Sequence, residues 1–166
     1  MAVVLPVFQI FPTEGEIIGR LVVGYGELEI DLCHCVAAGV NDLDMVVKDM
    51  FGRPSASRRI DTAVSIGRDI YVARGLGKLF DEIICEMRHC LAIRNQFAHC
   101  HYFHDNNTGN LAFVNVEELA KKKIAAKQKV AIEDLASLTF TAKRLTQDLL
   151  QEQEIYFVNV RHACIF

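Results

Sequence analysis

Downstream of Gly75 the apolar positions fall at Leu76, Phe80, Ile83, Met87, Cys90 and Phe97, along a seam that steps alternately by four and three residues. That spacing lines one stripe of a packed helix and predicts a helix leading up to His99. Position 94 belongs to the same seam, yet it is arginine. A guanidinium on a packed face is costly unless it is paired or meets an anion. The chain therefore breaks its own packing rule at one place, and such places are often functional.

The same periodicity organises the rest of the chain. Met1 to Phe11 is rich in β-branched residues and reads as a strand or an ordered arm. Pro12-Thr13-Glu14 starts a helix, with Thr13 as the expected cap. That helix runs from Glu14 to Ala38 on a stripe of Leu21, Tyr25, Leu28 and Leu32, with Gly24 expected to permit close helix packing. Gly39 ends it, and Asn41 or Asp42 caps a short helix from Asp42 to Phe51. Gly52-Arg53-Pro54-Ser55 is a break, after which Ser57 to Ala73 is again helical. Beyond His99 the pattern changes. Two apolar, aromatic runs, His101 to Phe103 and Leu111 to Val114, flank the turn-forming Asp105 to Asn110, which predicts a small β-hairpin. A short helix is expected from Glu117 to Gln128. The last long helix is expected within Ile132 to Phe157, with Leu135, Leu138, Ala142, Leu145, Leu149 and Tyr156 inward. The predicted fold is mainly α: a four-helix up-and-down bundle with additional short helices and a hairpin inserted at about 101–115, in one domain spanning 1–166.

Composition narrows the function. With 18 basic against 21 acidic residues the net charge is −3. A domain that grips long nucleic acid by charge alone is strongly basic, so any nucleic-acid contact here must be local. No apolar run reaches the ~18–20 residues of a membrane span. The start of the chain carries no positive charge ahead of its apolar stretch and no A-x-A-type site after it, so no signal peptide is expected and the chain reads as cytoplasmic. The six cysteines are then expected to be reduced thiols. Cys33 and Cys35 diverge by ~200° on a helix and cannot chelate together. His101 and His104 on a hairpin could join His99, but no carboxylate spacing beyond Asp105 supports such a set, and no metal or other cofactor is expected.

The chemistry then rests on Arg94 and His99. Arginine supplies a fixed-charge fork matched to phosphate oxygens, and histidine exchanges a proton near neutral pH. Together they suffice for cleaving a phosphodiester in RNA by attack of the ribose 2′-hydroxyl, with no metal required. Five residues place the two about 140° apart on an ideal helix. They converge only if the helix unwinds near Ala98 or if both line a groove against another surface. Asn95 and His99, four apart, share a face, and Asn95 is a candidate to hold the imidazole tautomer. Cleavage benefits from both a base and an acid, so a symmetric dimer joining two copies of the motif is part of the expectation.

The segment Ile93-Arg94-Asn95-Gln96-Phe97-Ala98-His99 resembles the signature of the HEPN superfamily: an arginine, a polar residue, about three variable residues and a histidine, carried on an α-helical bundle. The resemblance implies a dimerising, metal-independent endoribonuclease fold in toxin–antitoxin, phage-defence, stress or RNA-processing roles. Arg94, Asn95 and His99 are the matching catalytic positions, and an antitoxin-like partner protein is a further possibility. The superfamily also includes inactive members, so a non-catalytic dimeric interaction module of the same fold is the alternative. A nucleotide or small-ligand binder using the same cleft is a third reading.

The remaining basic residues carry less. Lys121, Lys122 and Lys123 form a solvated helix face or guide an RNA strand by charge, with His101 beside the motif. Arg94 has a structural reading too: an ion pair with Glu27, Glu29, Asp31 or Glu86. His99 has one as well, a bond to a carbonyl at its helix end.

Overall fold

The computed structural model describes residues 7–106, 109–115, 143–144 and 147–165. It is mainly helical, with a small antiparallel sheet. The helices are α1 (Val7–Ile10), α2 (Pro12–Val40), α3 (Leu43–Phe51), α4 (Ala56–Ala73), α5 (Gly77–Ala98) and α6 (Gln147–Ile165). The strands are β1 (Cys100–Asp105), β2 (Asn110–Asn115) and β3 (Lys143–Arg144).

The central element is α2, against which α3, α4, α5 and α6 all pack. Its Leu21, Tyr25, Leu28 and Leu32 are buried, each i+3 or i+4 from the last, and Val36 continues the stripe. Ile60, Ala63 and Gly67 face it from α4, and Phe80, Ile83, Met87, Cys90 and Phe97 from α5. Phe157 and Val160 complete the core from α6. Close approach of α4 and α5 uses Gly67, where a Cβ would stand 3.2 Å from Phe80 Cζ and 3.3 Å from Val36 Cγ2. Gly24, expected to serve that purpose, instead has open space beside its Cα. Gly24 lies on the same face as Leu21 and Leu28 but lines an open groove between α2 and α6, which explains the difference.

Helix ends follow local chemistry. Asp42 caps α3 by accepting the Met45 N–H at 2.9 Å, and Ser55 caps α4 by accepting from Arg58 N–H at 3.4 Å. Asn41 closes α2 with φ 58°, its N–H reaching Ala37 O at 2.7 Å. At the start of α2 the cap is Phe11, not Thr13, because Pro12 with its fixed φ already occupies the first helical turn. The segment just before it, Val7–Ile10, is a helical turn and not a strand.

The hairpin pairs β1 with β2 in the register Cys100↔Asn115 to Asp105↔Asn110, turning through Gly109 at φ +70°. It is anchored to the end of α5: Tyr102 OH donates to Phe97 O at 2.7 Å, and Phe97 and Phe113 pack ring to ring at 6.0 Å. A third strand, β3, pairs with β2 through Ala112↔Arg144. Leu111, Ala112, Phe113 and Val114 are consecutively buried, as in a central strand covered on both faces. Positions 143–144 had been expected inside the last helix, which instead occupies Gln147–Ile165. The expected helix at Glu117 to Gln128 lies outside the described residues, as do Leu135, Leu138, Ala142 and Leu145. Among the described residues no helix is long and apolar enough to cross a membrane.

Candidate functional site

The last two turns of α5, one face of α2 and the start of α4 enclose a pocket of about 460 Å³. Arg94, Asn95 and His99 all line it, opposite Tyr25, Gly26 and Glu29 of α2 and Pro54 to Ser57 and Arg59 at the start of α4. Helical geometry alone separates Arg94 from His99, but the pocket spans enough of the α5 surface to include both. Helix α5 ends at Ala98, and His99 leaves it as the cap residue with φ −115° and ψ 22°. His99 is exposed, and Arg94 and Asn95 are half-buried.

Neighbouring residues position the guanidinium. Arg94 Nη1 donates to Asn95 Oδ1 at 3.0 Å. Asn95 thus turns its carboxamide oxygen to Arg94, while its backbone carbonyl accepts the His99 N–H at 3.3 Å. The side-chain oxygen of Asn95, the residue expected to fix the imidazole tautomer, is engaged by Arg94.

Of the four carboxylates offered as partners for Arg94, Glu29, Glu27 and Asp31 are committed elsewhere, and Glu86 makes no ion pair with it. Glu29, 6% exposed, receives two bonds from Arg59, Nε to Oε1 at 2.8 Å and Nη2 to Oε2 at 2.9 Å. Those bonds, opposed in part by burial, hold the Arg59 guanidinium above its ordinary pKa. Glu27 and Asp31 both accept from Arg161 of α6, the latter at 3.1 Å. Among the described residues no carboxylate lies within ion-pair distance of Arg94. The pocket wall therefore holds one neutralised pair, Glu29–Arg59, and a second cation at Arg94 that no carboxylate neutralises within this set.

Tyr25, which sequence periodicity places in the core stripe, also belongs to this wall. It is 3% exposed, and its hydroxyl has no hydrogen-bond partner among the described residues. Burial raises its pKa first, Glu29 adds to the rise, and Arg59 and Arg94 oppose it. The group is a neutral phenol and a donor. Periodicity marks the ring as buried but carries no signal for the unpartnered oxygen.

His101, named beside the motif, lies on β1 opposite Val114, is exposed, and stacks with Phe103 at 6.3 Å. It does not line the pocket. Lys121, Lys122 and Lys123 lie outside the described residues. Cys35 is engaged by Tyr71, whose hydroxyl donates to the Cys35 carbonyl at 2.7 Å. Among the described residues no group of three His, Cys, Asp or Glu side chains is placed to hold a metal ion.

The arrangement sets on one pocket a guanidinium able to pair with phosphate oxygens and an exposed imidazole able to exchange a proton. No family model, curated protein or solved structure matches this chain.

Proposed function

We infer that the chain is a HEPN-like RNA-binding protein acting as a metal-independent endoribonuclease, working as a homodimer in a toxin–antitoxin, defence or stress system. The observation that carries this reading is the shared pocket: Arg94 and His99 line one cleft, and no carboxylate among the described residues neutralises Arg94. In the proposed reaction a phosphodiester lies across Arg94, which offsets charge growing on its non-bridging oxygens. Asn95 holds the guanidinium in place. His99 takes the proton from the ribose 2′-hydroxyl, whose oxygen attacks phosphorus. The bond to the 5′-oxygen breaks, and that oxygen takes a proton from an imidazolium, supplied by the second copy across a two-fold axis. The products are a 2′,3′-cyclic phosphate and a 5′-hydroxyl, and the proton removed equals the proton returned.

The test is incubation of the purified protein with mixed RNA in a chelator, beside Arg94→Ala and His99→Ala. Cleavage that resists the chelator, leaves cyclic phosphate ends and is lost in both variants supports the enzyme. Intact RNA with a well-folded dimer favours the non-catalytic interaction module. Cleavage that survives both substitutions rejects this site. Light scattering of the same preparation checks the dimer.

A further inference from the structure

An open groove of about 530 Å³ runs between α2 and α6, apart from the Arg94 pocket. Buried Leu21, Leu28 and Phe157 line it together with Val23, 72% exposed, and the half-exposed Val158. Gly19 and Gly24 line it too, each with nothing within 4 Å of where a Cβ would stand. Two helices thus leave an apolar trough with glycines along it and large apolar side chains open to solvent. A continuous apolar surface rimmed by polar groups marks an interaction site, as scattered exposed side chains do not.

Charge at the two ends of the trough selects the occupant. At one end Arg20 donates to both Glu16 and Glu154, and at the other Arg161 donates to both Glu27 and Asp31. Each end therefore sets two carboxylates against one guanidinium among the described residues, an excess of one negative charge. Glu16 and Glu27 are exposed and stand three turns apart on α2, about 16 Å at the helical rise. A second copy meeting this face through the same face would bring surplus carboxylates against surplus carboxylates. An extended segment laid in the trough would turn N–H and C=O groups to a wall of helices whose own backbone groups are already bonded. A helix carries its backbone bonds internally, and its side-chain ridges fit the groove between two others.

We propose that the α2–α6 groove docks an amphipathic helix of a partner protein, its apolar stripe seated over Gly19 and Gly24 and a lysine or arginine at each end meeting the surplus carboxylate. Val23 lines this groove and the Arg94 pocket alike, so the docked helix lies at the edge of that pocket. The docking depends on no reaction there.

The probe is a fluorescent synthetic helix with a leucine stripe of three turns and a lysine at each end, titrated into the full chain and followed by anisotropy. A second peptide keeps the leucines and carries glutamates in place of the lysines. The lysine peptide is expected to bind, and the glutamate peptide to bind about tenfold more weakly, with the gap narrowing in high salt. Gly24→Leu fills the trough, and Val158→Lys places a cation on it. Each is expected to weaken binding of the lysine peptide by about tenfold. Both positions are open, so circular dichroism is expected to show both variants folded. Arg94→Ala is expected to bind the lysine peptide as the wild type does.

No binding of the lysine peptide overturns the proposal, and so does equal binding of the two peptides. Binding that stays within about twofold of wild type in both groove variants overturns it as well. If Gly24→Leu does not fold, Val158→Lys alone decides. Loss of binding in Arg94→Ala overturns the placement, since the peptide would then occupy the other pocket. A dimer that sedimentation shows to dissociate in Val158→Lys gives this face to a second copy and overturns the partner. Selective binding of the lysine peptide upholds the groove whether or not the chain cleaves RNA.

Discussion

Glu29 binds Arg59 through both of its carboxylate oxygens, at 2.8 and 2.9 Å, and that choice decides what Arg94 faces. Glu29 is one helical turn from Tyr25, on the α2 face turned to the end of α5. Had it paired with Arg94, the seam violation would have had a structural answer. Arg59 reaches over from the first turn of α4, its guanidinium 5.9 Å from the centre of the Phe51 ring, and occupies the carboxylate. Arg94 is left with an amide oxygen.

Removing that carboxylate should be costly. Glu29→Ala leaves Arg59, 22% exposed at its side chain, beside a pocket without its counterion. Loss of one partner from a largely buried pair is expected to destabilise the fold by about 2–4 kcal/mol. Urea unfolding of the variant measures it. A loss below about 1 kcal/mol would place the pair with ordinary surface ion pairs.

Two glycines should respond in opposite senses. Gly67→Ala inserts a methyl 3.2 Å from Phe80 Cζ, and Phe80 is itself buried and stacked on Tyr71 at 5.0 Å. Overpacking there is expected to cost about 1–2 kcal/mol. Gly24→Ala meets nothing within 4 Å and replaces a poor helix former in the middle of α2. It is expected to gain about 0.5–1 kcal/mol. Thermal melts of the two variants check both signs.

Helix α6 should be held by its apolar residues more than by its charges. Arg161 bonds Glu27 and Asp31, and Arg20 bonds Glu154, but the two arginines are close to half-exposed. Arg161→Ala is expected to cost about 1 kcal/mol or less, and less still in high salt. Phe157, 7% exposed against α2, is expected to cost about 3–4 kcal/mol as Phe157→Ala. Denaturation of both variants at two salt concentrations separates the contributions.

Stability should fall at alkaline pH. Burial raises the pKa of Tyr25 and Tyr102, and burial with the contact to Cys35 pushes Tyr71 up to about 12, from an ordinary value of 10.0. A phenol whose native pKa is raised holds its proton more tightly in the folded chain than in the unfolded one. Its contribution is complete below the unfolded value and is lost as pH climbs from 10 towards 12. Urea midpoints measured across that range, with phenolate absorbance followed in parallel, are expected to fall together with the appearance of tyrosinate. Midpoints that hold steady would reject the burial of these hydroxyls.

Much of the helical framework was legible because a buried stripe imposes a period that needs no partner to be seen. Leu21, Tyr25, Leu28 and Leu32 on α2 and the seam of α5 are cases of this. The hairpin was legible from turn residues between aromatic runs. The third strand was not: Lys143 and Arg144 form a two-residue bridge whose only cause is a neighbouring strand. The helical turn at Val7–Ile10 is likewise too short for a period to register. Thr13 lost its capping role to a proline whose constraint acts one residue earlier, and Gly24 faces an open groove because spacing along one helix does not say how closely a neighbouring helix covers each part of its stripe.

What the chain determined by itself was the periodic pattern of its helices and the anomaly at position 94, since each depends on spacing along one element. Which acid neutralises which base was decided in three dimensions. Glu29, Glu27 and Asp31 all sit on α2 within reach of a plausible partner by sequence, and only the packing of α4 and α6 assigned the first to Arg59 and the others to Arg161. The pocket that joins Tyr25, Arg94 and His99 has the same origin. It exists where three helices meet, and no single helix encodes the space between itself and its neighbours.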